Sequence, residues 1–300
     1  MNTLQQQFVT LVSTPFYVII IGIEILLSSV HHTQSYQWKD SARNFALSIL
    51  GGLTDLLMRA VSLAVMSFCF AHALFTLSHS WIYWVILVFA VDFLHYWLHR
   101  LSHTSRFFWA VHVNHHSSSH FNFTTGFRAA VFEPFYRFIF YLPLPFAGFQ
   151  PIDVLLVYSI LEIWAICTHT EKIKRLGWIE YIFVTPSHHR VHHGSNIKYL
   201  DKNMGSVFIF WDKLFGTFQQ ELPASEYEPI RYGLTNPLED QSIPSLVLHE
   251  WRGIWTDLKR KDITWKQKIQ YVFRAPGWSH DGSRKTSQSL RECEKIGKYG

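Results

Sequence analysis

Residues 81–103 read WIYWVILVFAVDFLHYWLHRLSH: an apolar run from Trp81 to about Leu98, carrying Asp92 and His95 near its end and closing on His99 and His103. A helix needs about 20 residues to cross a hydrocarbon layer of ~30 Å, and this run approaches that length. His99 and His103 are four apart, so on a helix they share a face. The stretch therefore predicts a membrane helix that ends in a pair of metal-binding side chains.

Similar runs lie on both sides of it. Upstream are one from about Phe16 to Val30, with Glu24 inside, and a longer one from about Phe45 to Phe75. The longer run is interrupted by Gly51-Gly52 and by Asp55 and Arg59, whose i,i+4 spacing lets them pair. It reads as one long helix or as two short ones. Downstream, runs from about Val131 to Phe149 and from about Ile152 to Thr168 are separated by Pro143, Pro145 and Pro151, which predicts a helical hairpin. The expected fold is all-α: an integral-membrane helical bundle of about four to six membrane helices with a histidine-rich helical cap on the cytoplasmic side. Glu24, Asp55 and Arg59 would then face the bundle interior.

Composition agrees with this. Charged residues make up 16% of the chain, against roughly 25% in soluble domains, while hydrophobic residues reach 48%. The net charge is +5, with Lys and Arg crowded toward the C-terminal part and the loops, as on cytoplasmic membrane faces. No basic stripe interleaved with stacking aromatics is present, which excludes a nucleic-acid partner. Cys69, Cys167 and Cys293 form no CxxC pair, so neither a disulfide framework nor a thiolate zinc site is expected. The N-terminus lacks the basic stretch of a cleavable signal peptide, so Met1 onward is expected in the mature protein. Two regions follow: a membrane region 1–221, with the histidine motifs inside 92–220, and a cytoplasmic tail 222–300. That tail is partly helical, with an amphipathic stretch near Ile243 to Ile269 and a loosely ordered end from Gly277 to Gly300.

The spacing of the 18 histidines carries the functional argument. After His99 and His103 come His112, His115 and His116, and much later His189, His192 and His193. At i,i+3 and i,i+4, each cluster can aim its rings at one point. His169, at the end of the fifth run, would add a further ligand. So many imidazoles exceed the coordination of one metal and suit two. Ligand type alone does not choose among zinc, copper, iron and nickel. His31, His32, His72, His79, His249 and His280 read as ordinary hydrogen-bonded core or surface residues. His95, His120 and His188 sit next to the clusters, as further ligands or as groups that orient them. Asn122, Arg128 and Arg190 would hold loops or reach a carboxylate or a lipid head group. Asp201, Lys202 and Asn203 read as a structural turn, and Asp212 as the residue holding the Trp211 loop. The clusters must meet on one face, which Arg100, Arg106, Lys172, Lys174 and Arg175 mark as cytoplasmic. A metal transporter is the competing class, but it would need its ligands near the bilayer midplane rather than at the ends of runs.

From Asp92 to Gln220 the pattern HxxxH, HxxHH, HxxHH resembles the fatty acid hydroxylase superfamily, also called the sterol desaturase family. Within it, TPSHHRVHHG at 185–194, YLDKN at 199–203 and WDKLFGTF at 211–218 are similar to the alkylglycerol monooxygenase branch and its bacterial relatives. The resemblance implies a di-iron site on His99, His103, His112, His115, His116, His189, His192 and His193, with His169 as a further ligand. It implies O2 as co-substrate and a separate electron donor, such as a cytochrome b5, a ferredoxin or a reductase. The reaction implied is hydroxylation of a fatty acyl, alkylglycerol or sterol-like lipid in a bacterial inner membrane or the endoplasmic reticulum. Desaturation by the same site is the alternative. Two positions depart from the branch. Thr104 stands where it has a glutamate after the first motif, which leaves tetrahydrobiopterin dependence open. Ser119 and His120 replace acidic residues, so the substrate need not be an alkylglycerol.

Overall fold

The structure is a computed structural model that describes residues 3–31 and 35–296, with side chains from Pro15 onward. The reading of His32 and the last few residues of the tail lie outside the described residues. The chain begins with three long helices: α1 (Thr3–Val30), α2 (Trp38–Ala71) and α3 (Trp81–Thr104). At about 1.5 Å per residue, α2 and α3 extend for ~51 and ~36 Å. Among the described residues these two are long and apolar enough to cross a membrane. Their outward faces expose Leu53, Leu56, Leu57, Trp81 and Ile82, as does α1 with Ile19 and Leu26, an apolar surface suited to lipid.

The second run is one continuous helix despite its paired glycines. Gly51 serves a close approach: a Cβ there would come within 2.6 Å of the Ala129 Cβ. Asp55 pairs with Arg59 at 3.2 Å, as the spacing predicts, and also with Arg137 from a distant segment.

The expected hairpin does not form. Its first arm breaks into a 3-10 turn at Glu133–Phe135, α5 (Arg137–Tyr141) and α6 (Pro143–Phe146), after the short α4 (Arg106–His112). Pro134, Pro143 and Pro145 lack the N–H that a continuous helix requires. The second arm forms α7 (Pro151–Cys167). Two membrane-length helices, rather than four to six, are therefore what length and composition support among the described residues. The main core lies where Met66 of α2, Leu87 and Val91 of α3, Tyr141 of α5 and Val154, Val157 and Leu161 of α7 meet.

Short elements follow: α8 (Pro186–His192), α9 (Phe210–Leu214), α10 (Ile243–Lys259), α11 (Trp265–Phe273) and α12 (Ser287–Lys295), with no strand among the described residues. The amphipathic stretch is α10 and α11, and it packs on the membrane region. Arg106 of α4 bonds Glu250 at 2.5 Å and Asp257 at 2.6 Å, and Arg284 joins the same Asp257 carboxylate. The tail end, expected to be loose, forms α12, which Arg291 ties to the Leu200 carbonyl at 2.7 Å. Its order comes from polar contacts with the membrane region, which composition alone does not reveal.

Candidate metal centre

The backbone delivers the histidines from five places. Helix α3 carries His103 in its last turn and His99 one turn earlier. Ser105, extended at φ −125° and ψ 124°, ends that helix and turns the chain into α4, which places His112 at its own last residue. A 3-10 turn, His115–Ser117, follows. His169 comes two residues after α7 and His189, His192 and His193 come from α8. That helix starts with Pro186 at its first position, and His188 accepts from the Thr185 N–H at 3.4 Å.

All nine predicted histidines converge, in two groups. His99, His103, His112, His116 and His192 form one; His115, His169, His189 and His193 form the other, with the ring nitrogens of each group within 4.8 Å of one another. The sequence motifs do not map one to one onto these groups. Each HxxHH motif splits: its i,i+4 pair enters one group and its third histidine the other. Residues at i,i+4 lie about 40° apart around a helix, whereas neighbours lie about 100° apart. His112 and His116 therefore stay together while His115 points across, and His189 and His193 stay together while His192 points back.

Apart from one another, the inner nitrogens have no hydrogen-bond partners among the described residues that would explain their position. The Nε2 atoms of His169 and His189 face each other at 3.0 Å, and those of His112 and His116 at 3.3 Å. Buried without a partner among the described residues are Nε2 of His99, His103, His192 and His193. Facing lone pairs need a proton or a cation between them. Burial holds His115 down to about 4 and His169 down to about 3, and pushes His112, His116, His189, His192 and His193 well below the usual histidine value. Burial thus favours the neutral, donating form of these seven rings, and a cluster of imidazole donors fits a pair of metal ions.

The outer nitrogens are pinned in turn. Nδ1 of His99, His115, His169 and His192 meets the carbonyls of Met204, Arg128, Ala165 and Lys202 at 2.8–2.9 Å. His103 Nδ1 meets Asp201 at 3.3 Å. Burial acts to raise the Asp201 carboxyl, but the contacts with His103 and Ser287 hold it below its usual range. Asp201 was read from the sequence only as part of a turn. Its role rests on a positive φ of 52°, and that of Asn203 on 54°, backbone states the sequence does not announce.

The flanking residues stand outside both groups, though His95 lines the cavity toward α2 and α7. His95 contacts the Tyr141 hydroxyl at 3.4 Å and stands outside both groups. His120 is linked to Ser118 and Ser119, not to the ligand rings. His188 caps α8. Asn122 donates to the Ser35 carbonyl at 2.7 Å, and Arg190 donates to Glu221 and to the Thr170 and Ile173 carbonyls. Arg128 is wholly buried and bonds Asp40, Asn44, Ser117 and the Asn114 carbonyl, so it holds the loop rather than a head group. Glu24 accepts from Phe123 N, Tyr36 and Thr170, tying α1 to the segment that carries His169. Asp212 accepts from Met204 N, Gly205 N and Thr217, as expected of a loop anchor. His31, His72, His79, His249 and His280 are ordinary hydrogen-bonded residues.

Two cavities reach the histidines. One of about 360 Å³ lies toward α2 and α7 and is lined by His99, His112, His115, His169 and His189. The other, about 440 Å³, lies under the tail helices and touches His103, His116, His192 and His193.

Comparison with known proteins agrees with this site. Residues 84–217 match the fatty acid hydroxylase family model. Alkylglycerol monooxygenase of Homo sapiens is 34% identical over 274 residues, covering 89% of this chain and 59% of the relative. An ornithine lipid hydroxylase of Rhizobium tropici is 31% identical over 133 residues, covering 41% of this chain and 38% of the relative. A Delta(7)-sterol 5(6)-desaturase of Gibberella zeae is 27% identical over 143 residues, covering 45% and 40%. This chain thus spans about 59% of the length of the human relative. No solved structure matches it. The expectation drawn from the three motifs is borne out: residues 84–217, which hold all nine clustered histidines, match the fatty acid hydroxylase family model, and most of the chain is similar to alkylglycerol monooxygenases.

Proposed function

We propose that this chain is a membrane lipid monooxygenase whose nine histidines hold two iron ions, five nitrogens at one and four at the other. The observation that carries the reading is the pair of histidine groups, with ring nitrogens facing one another and no other group of the described residues bonded between them. Bound there, an iron pair would supply O2 activation and the two-electron oxidation of a C–H bond. The protein's own part is to hold the rings. Asp201 and four backbone carbonyls fix their orientation and tautomer, which keeps the inner nitrogen free to donate. Small residues of the lipid-side cavity, Gly52, Ala129 and Ala165 among them, leave room for a substrate beside His169 and His189.

Hydroxylation is preferred over desaturation because the relatives matched over most of the chain are monooxygenases; the sterol desaturase is matched over less than half. Electrons come from a separate donor. The histidine groups and the C-terminal helices lie on the cytoplasmic side, where Arg100, Arg106, Lys172, Lys174 and Arg175 cluster in sequence.

The test is elemental analysis of detergent-purified protein, beside His112→Ala and His192→Ala and with mass spectrometry of lipid products. About two irons per chain in the parent, reduced in both variants, with a hydroxylated lipid formed only by the parent, is the expected result. Folded protein with no bound metal, or with metal but no oxidised lipid under any donor, would overturn the proposal.

A further inference from the structure

The tail helices α10 and α11 carry an apolar face that the rest of the fold leaves uncovered. On α11, Trp265, Ile269 and Phe273 follow one another four residues apart and are 74%, 49% and 56% exposed. Tyr271, about 160° round the helix from Ile269, is the buried residue, held beside Arg106 and Arg260. On α10, Leu248, Trp251 and Trp255 share a face set apart from the buried Leu246, Val247 and Ile254, and Trp255 is 60% exposed.

The two stripes are one surface. Phe107 of α4 joins them, its ring 5.2 Å from that of Trp251 and 5.8 Å from that of Phe273. Phe107 comes three residues after the end of α3, so the surface sits where that helix leaves the apolar layer. It continues toward α2: Leu246 and Val247 pack with Leu47 and Val131, and Leu248 and Trp251 line an open groove of about 340 Å³ with Phe107, Phe132 and Phe135.

We propose that α10 and α11 lie on the membrane surface, with Trp255, Trp265, Ile269 and Phe273 sunk between head groups and acyl chains and the flanking cations holding anionic phospholipid. The inference rests on the reading of the chain as a membrane protein, not on its metal chemistry.

Charge identifies the occupant. Residues 243–274 hold seven Lys and Arg against three carboxylates. The carboxylates are committed, Glu250 and Asp257 to Arg106 and Asp262 to Arg260. Among the described residues, Arg252, Lys259, Lys261, Lys266, Lys268 and Arg274 enter no ion pair. Lys266 and Lys268 stand on either side of the α11 stripe, and Arg252 and Lys259 lie within about 60° of Trp255 on α10. The Lys259 ammonium is 5.0 Å from the centre of the Trp255 ring. An apolar stripe bearing Trp and edged by Lys and Arg suits a helix lying in an interface, where an anionic surface attracts each cation. The Trp251 indole N–H, buried with no partner among the described residues, fits an ester carbonyl of lipid in the groove. Arg106, which bonds Glu250, Asp257 and the Tyr271 carbonyl, passes this seating to α4 and so to the helix that carries His112.

The experiment measures depth. A nitroxide is attached to the full-length protein carrying Cys69→Ala, Cys167→Ala and Cys293→Ala, at Ile269→Cys or, as a control, at Gln288→Cys on the exposed side of α12. In nanodiscs of phosphatidylcholine and phosphatidylglycerol, collisions with oxygen report the acyl layer and collisions with a nickel chelate report water. Oxygen is expected to exceed nickel about threefold or more at 269, and nickel to exceed oxygen at 288. Thermal midpoints check the fold, and Trp265→Cys reports the same face if the 269 variant does not fold. In the same discs, spin-labelled phosphatidylglycerol should be retained at the protein about threefold over phosphatidylcholine, and Lys266→Gln/Lys268→Gln should lower that preference by about half. Nickel exceeding oxygen at the labelled stripe of folded protein would overturn the proposal. So would spin–spin broadening, which places a second copy on the face, or a lipid preference unchanged in the double variant. Neither readout uses the metal, so failure of the oxygenase reading and failure of this one are separate outcomes.

Discussion

The two histidine groups are built differently. The five-membered group takes His99 and His103 from a long helix and has a carboxylate, Asp201, behind one of its rings. The four-membered group comes from a 3-10 turn, the end of α7 and α8, and its outer nitrogens lean on backbone carbonyls. The cavities divide likewise. The lipid-side cavity reaches three of the four, and the tail-side cavity reaches three of the five. A metal held by the four-membered group would have fewer protein donors and would adjoin the cavity toward α2 and α7, which suits that half to binding a further ligand. The five-membered group is the better-supported half, shielded by the tail.

Losing one ligand should hurt the two halves unequally. His189→Ala leaves three donors and is expected to remove about one of two metals and to abolish lipid oxidation, while His116→Ala leaves four and is expected to lose metal to a smaller extent. Elemental analysis checks this, and equal losses would erase the distinction. Arg128→Met strands the Asp40 carboxylate in the core below the four-membered group. It should cost about 3 kcal/mol, read by chemical unfolding in detergent. An undiminished stability would show that the loop carrying the His115 support does not depend on this pair.

Asp201→Asn acts on the other half. Replacing the carboxylate behind His103 should weaken metal binding there by about 10- to 100-fold, with the four-membered group unchanged, as a chelator titration would resolve. The smallest effect is expected from Gly126→Ala, whose new Cβ would lie 3.1 Å from His169 Nδ1 and 3.3 Å from the Ile166 Cα. Pushing one ring by a few tenths of an ångström should weaken metal at the four-membered group by less than about tenfold. Weakening at the five-membered group instead would mean the two sites are mechanically joined through α7.

Much of the site was legible in the chain. Side chains at i,i+4 must share a helix face, so His99 with His103, His112 with His116, and His189 with His193 follow from spacing alone. How the motifs divide between two centres was not legible, because it depends on how α4 and α8 are turned relative to each other. His120 looked like a neighbour of ligands and is not one. Asp201 looked like a turn and touches His103. In both cases a loop's path decides, and loop paths are set by distant anchors such as Asp212 and Glu24. The fourth apolar run shows the same limit: hydropathy suggested a membrane helix, while its prolines break it into short turns.

The sequence by itself determined the chemistry on offer: apolar runs suited to lipid, and eight imidazoles at helical spacing, with His169 as a ninth, suited to metal. Both are local properties, readable from composition and period. The tertiary structure decided the division into five and four, the carboxylate behind His103, the order of the tail and the ion pairs of Arg137. Those depend on contacts between residues far apart in the chain, such as Asp55 with Arg137 and Asp201 with Ser287, which no local pattern encodes.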